Sequence, residues 1–198
     1  MNGVLTCPPT DENGDPLPAD IQALILDMLP LTSLDALSKL PLMREVIRAK
    51  LKAKIDNILT AFSLDADACL SMMERAGAIL SGSAALYVVA PGYAAPNDLN
   101  FYCPKHAAKG VATYFSRSPG YTKVSNPTIR VVAERSPFNI LDAITLSESI
   151  STSPLVPLFS FHSTTLMNCI SGRGVLSFYP KLTEQYVGEL YEGLFQCR

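Results

Sequence analysis

The chain holds 198 residues with a formal net charge of −2, and 48% of it is hydrophobic against 17% charged. That length and apolar content bury well over half of the unfolded surface, which excludes disorder along the whole chain. The slightly acidic balance gives no strong nucleic-acid signal, and no apolar run approaches the roughly 20 residues that span a bilayer, so no membrane is expected as a partner.

Residues 1–16 are polar, with Pro8-Pro9 and Asn13-Gly14, and are expected to form a disordered arm. Asp11, Glu12 and Asp15 in this stretch are unlike the basic start and apolar core of a secretory leader. Leu17-Pro18 predicts a helix start, with Pro18 in the first turn. Ile21, Leu24, Ile25, Met28 and Leu29 recur at the spacing of one helical face, and Pro30 closes the segment. Leu34, Leu37 and Leu40 predict a second short helix that stops near Pro41. A third is expected over about 43–61. Its apolar face is Ile47, Leu51, Ile55, Ile58 and Phe62, and Arg44, Arg48, Lys50, Lys52 and Lys54 form a solvated face.

From residue 64 the pattern changes to alternating short strands and helices. Asp65 or Asp67 can cap a helix holding Cys69, Leu70 and the core residues Met72 and Met73. A strand over 78–80, a Ser81-Gly82-Ser83 turn and a helix over 84–90 follow. Next come a strand over 99–102, a helix over 105–115 and a hairpin of 121–124 with 129–132 about Asn126-Pro127. Residues 138–146 predict a further strand. A helix is expected from His162 or Ser163 to Ile170, stopped by Gly172, and a last strand over 175–178. His106 is expected at the surface and His162 in a structural hydrogen bond. Cys7, Cys69, Cys103, Cys169 and Cys197 form no Cys-x-x-Cys pair, which points to reduced, mostly buried thiols in a cytoplasmic or nuclear protein.

One stretch carries chemistry. Ile79-Leu80-Ser81-Gly82-Ser83-Ala84-Ala85-Leu86 precedes Pro96-Asn97-Asp98-Leu99-Asn100-Phe101-Tyr102. A glycine turn at a helix start lets backbone amides approach an anion. Residues two apart on a strand share a face, so two carboxylates placed this way could hold Mg²⁺ against a triphosphate. The plain alternative is a strand-to-helix turn at Gly82-Ser83 and a loop cap at Asp98.

This stretch resembles the nucleotidyltransferase superfamily, with its Gly-Ser turn and Asp-x-Asp strand. More closely it resembles a group of fungal proteins of unassigned function with a Pro-Asn-Asp-Leu strand. Phe161-His162-Ser163-Thr164, Gly172 and Tyr179-Pro180-Lys181-Leu182-Thr183 match that group as well. The resemblance covers about 70–183. It implies that Gly82 and Ser83 bind a nucleotide cofactor and that Asp98, Asn100 and Asp142 form the metal set. Asn100 stands where the superfamily has a second carboxylate, and a neutral amide is a weaker ligand for a hard cation.

The N-terminal Leu17-Pro18-x-Asp20-Ile21, Ile25, Leu29-Pro30, Leu34 and Leu37 resemble the opening of an F-box, although the chain has no tryptophan. The resemblance implies docking of a Skp1-type adaptor through 17–62. The alternative is a helical cap packed on the rest of the chain, as three short helices bury little alone.

The expected architecture is α/β (α+β), a small mixed sheet flanked by helices. The arm over 1–16 leads into a helical segment over 17–63 and a nucleotidyltransferase-like domain over 64–198. The expected function is a non-catalytic binding or adaptor protein, a pseudoenzyme with no cofactor. The alternatives are a nucleotidyltransferase using Mg²⁺ and a nucleoside triphosphate, and an F-box-type substrate receptor of a ubiquitin ligase.

Overall fold

In a computed structural model of the chain, residues 17–118, 121–124, 129–133 and 142–188 are described. The expected arm over 1–16, the turn at Asn126-Pro127 and the first part of the strand expected over 138–146 lie outside them.

Prolines punctuate the first three helices. In α1 (Ala19–Met28), Pro18 is the cap before the helix, not a member of its first turn, and its carbonyl accepts the amide of Gln22. Pro30 is extended at φ −67° and ψ 161°, and starts α2 (Leu31–Ser38). Pro41 opens α3 (Pro41–Ala61), where its missing N–H costs nothing.

The face that α1 buries differs from the expected one. Leu26 is the buried residue, clustered with Leu34 of α2 and Ile47 of α3, while Leu29 packs against them. Ile21, Leu24, Ile25 and Met28 are exposed, Leu24 at 57% and Met28 at 70%. The reason lies in the polar edge of α1. Asp27 pairs with Lys50 at 2.8 Å and with Lys54 at 3.8 Å, and Lys50 also reaches the carbonyl of Ala23 at 2.8 Å. Residues 23, 26 and 27 share one face of a helix, so these contacts turn Leu26 inward and the periodic apolar face outward. Lys50 and Lys54 are thus interhelical partners, while Arg44, Arg48 and Lys52 remain solvated.

The second half of α3 belongs to the main core. Ile55, Ile58, Leu59 and Phe62 pack with Met72 and Met73 of α4 (Ala66–Ala76). Asp65 caps α4 by accepting the amide of Ala68 at 2.8 Å. The strands are β1 (Ile79–Ser81), β2 (Asp98–Cys103), β3 (Tyr121–Val124), β4 (Ile129–Ala133), β5 (Asp142–Glu148), β6 (Asn168–Ser171) and β7 (Gly174–Ser177). Among the described residues they form one mixed sheet in the order β3-β4-β5-β2-β1-β6-β7, in which β2 and β5 run parallel and the other pairs antiparallel. On one face of the sheet, α3, α4, α5 (Ser83–Val89) and α6 (Ala108–Arg117) cover Leu80, Leu99, Phe101, Ile144, Leu146 and Ile170. Phe101 and Phe115 pack there at a tilt of 54° with ring centroids 4.8 Å apart. The protein is therefore a mixed α/β fold. No helix among the described residues is long and apolar enough to cross a membrane.

The helix expected from residue 162 or 163 to Ile170 is not formed. A 3-10 turn, Thr164–Leu166, leads instead into β6. Asn168, Cys169 and Ile170 are all buried, and a strand buried on both faces has no period to separate it from a helix. Gly172 is accordingly a hairpin residue between β6 and β7. It touches α4 so closely that a Cβ would lie 2.7 Å from the carbonyl of Leu70. A short helix that the sequence did not signal, α7 (Pro180–Glu184), follows β7, and Glu184 accepts the amide of Thr32 at 3.0 Å.

Candidate functional site

β1 ends at Ser81 and α5 begins at Ser83, so the chain must reverse at Gly82. It does so at φ 76° and ψ −144°, a conformation essentially restricted to glycine. A Cβ at this position would also stand 3.3 Å from Nδ2 of Asn100. Alternation along β2 turns Leu99, Phe101 and Cys103 into the core and presents Asp98, Asn100 and Tyr102 on the opposite face. Gly82, Ser83, Asp98 and Asn100 are brought together as the motif reading requires.

A chain of hydrogen bonds links them. The Ser83 hydroxyl donates to Oδ1 of Asp98 at 3.2 Å. Nδ2 of Asn100 donates to Oδ2 of the same carboxylate at 2.9 Å. The side-chain Oδ1 of Asn100 in turn accepts the hydroxyl of Thr145. Thr145 lies opposite Asn100 in the parallel register of β5 on β2. It was not anticipated as a member of the site. Its signal is the alternation of Ala143, Thr145 and Ser147 with Ile144 and Leu146, which marks a small, polar face on β5.

Asp142 opens β5 one residue before Ala143, the register partner of Asp98. Its side chain lies outside the described residues. Among the described residues, no group of three or more histidine, cysteine or acidic side chains is placed to hold a metal ion. Asp98 is the one carboxylate of the network. A cation there would share the Asp98 carboxylate with the two donors that Ser83 and Asn100 supply, and would meet a neutral amide where a second negative charge is needed.

The later motif approaches the same face. Phe161 packs edge-on against Tyr102 with ring centroids 5.8 Å apart. Burial raises the Tyr102 phenol above its ordinary range, and the charge of Asp98 adds to the effect. Ser163 caps the 3-10 turn by accepting the amide of Thr165 at 3.3 Å. His162 is exposed, as is His106. Comparison of the chain with protein-family models, with curated proteins and with solved structures gives no match.

Proposed function

We propose that this chain is a non-catalytic binding or adaptor protein built on a degenerate nucleotidyltransferase-like core. The observation that carries the reading is the engagement of both Asp98 oxygens by Ser83 and Asn100. A carboxylate used in this way holds the β1–α5 turn to β2. The strand offers the neutral amide of Asn100 as its partner, where a metal-dependent transfer site needs a second carboxylate to hold Mg²⁺ against phosphate. Incubation with labelled nucleoside triphosphates and Mg²⁺ or Mn²⁺ tests the reading. No incorporation above background is expected. Incorporation that disappears in Asp98→Ala would establish the opposite reading, a Mg²⁺-dependent nucleotidyltransferase with Gly82 and Ser83 at the phosphates and Asp98, Asn100 and Asp142 at the metal.

A second reading, that α1–α3 dock a Skp1-type adaptor as an F-box does, is favoured by the exposure of Ile21, Leu24, Ile25 and Met28. A contiguous exposed apolar patch of more than a few hundred Å² marks an interaction surface. Pull-down with a purified Skp1-type adaptor is the direct test. Retention by the full chain and loss in Leu24→Asp are expected under this reading, and absence of retention excludes it.

A further inference from the structure

The far edge of the sheet offers a third surface, separate from both the Asp98 network and the α1 face. Among the described residues β7 is the last strand and pairs with β6 alone. Ser171 and Gly174 flank a two-residue turn, which makes them a hydrogen-bonded pair, as are Cys169 and Leu176. Val175 and Ser177 therefore direct their N–H and C=O groups away from β6. All four residues of β7 line a groove of about 780 Å³ between the strand and α2–α3. Ile47, Leu51, Ile55 and Leu70 supply its apolar floor. The hydroxyl of Ser177 is buried and has no hydrogen-bond partner among the described residues.

Charge distinguishes the groove from an ordinary apolar cleft. Arg44, Arg48, Lys52 and Arg173 line it against one lining carboxylate, Asp35. Neighbouring carboxylates already hold three of the four: Glu45 holds Arg48, Asp56 and Asp67 hold Lys52, and Glu74 holds Arg173. Arg44 contacts a backbone carbonyl, that of Ser38, and no carboxylate among the described residues. Asp35 is paired outward with Lys39.

We infer that β7 receives an extended acidic–apolar peptide segment of a partner protein as an added strand. Strand spacing of free backbone donors and acceptors selects an extended chain over a helix or a compact ligand. The apolar floor takes alternate side chains, and Arg44 favours a carboxylate among those between them. This deepens the binding reading and rests on its premise that the chain works by holding another protein.

A displayed library of random dodecapeptides, selected on the immobilised full chain, tests the inference. Enrichment of peptides that alternate apolar and acidic residues is expected. Binding of a selected peptide should fall about tenfold or more when its alternate amides are N-methylated. A similar loss is expected in Val175→Pro, which removes one outward N–H and leaves the β6 pairing intact. Arg44→Glu, at an exposed guanidinium, should weaken the same peptides whatever the folding of the proline variant. No enrichment, or binding indifferent to N-methylation, would overturn the inference. So would a dimer of the chain that Val175→Pro dissolves, because the occupant would then be a second copy. Peptides lost in Leu24→Asp but retained in Val175→Pro would overturn the strand addition and leave the binding reading standing. That reading falls separately, in the nucleotide-transfer assay.

Discussion

Gly82 and Asn100 meet where β1 turns into α5. The backbone at Gly82 is strained for any L side chain, and Asn100 closes the space a Cβ would enter. Gly82→Ala is therefore expected to cost about 1–3 kcal/mol, read as a lowered urea midpoint. An unchanged midpoint would mean that the turn relaxes freely. Asn100→Asp sets two carboxylates side by side and removes the amide that donates to Asp98. We expect a loss of about 1–2 kcal/mol at neutral pH. Millimolar Mg²⁺ should recover much of it in the variant and leave the melting temperature of the natural chain unchanged. Equal stabilisation of both proteins by Mg²⁺ would show that the amide does not disable the site.

At the scale of elements, α1 separates two accounts of one helix. Periodicity alone makes Ile21, Leu24, Ile25 and Met28 its packing face, whereas Leu26 is 7% exposed and buried in the α2–α3 cluster. Leu24→Asp is expected to change stability by less than about 0.5 kcal/mol, and Leu26→Ala to cost about 2 kcal/mol or more. Chemical denaturation of the two variants checks the pair, and the reverse order would contradict the fold of this segment. Hydrophobic spacing is blind to Asp27, because the lysines that turn α1 lie more than twenty residues on and only the fold brings them together. The site was legible for a local reason. Gly82 needs its special backbone wherever a strand turns straight into a helix, and Asp98 and Asn100 alternate with the core residues Leu99 and Phe101. Thr145 was hidden because the parallel register of β5 on β2 is not written in either strand. β6 was hidden because burial on both of its faces erases its period.

For the whole molecule, burial fixes how the fold responds to alkali. Cys69, Cys103 and Cys169 are free and buried. Burial pushes the first thiol up to about 12 and the other two to about 11. An unfolded thiol ionises near pH 8.5, at about 1.4 kcal/mol per pH unit of difference. Unfolding therefore releases protons above that pH, so stability is whole below it and falls as pH rises toward 11. A urea midpoint lower at pH 10 than at pH 8 is the expected result, and equal midpoints would contradict the burial of these thiols. The central claim concerns the face that carries Asp98, whose carboxylate holds Ser83 and Asn100. Its most direct test is the transfer of labelled nucleotide by the full chain with Mg²⁺ or Mn²⁺, run beside Asp98→Ala. The account predicts background incorporation in both proteins. Incorporation by the natural chain that Asp98→Ala abolishes would contradict it.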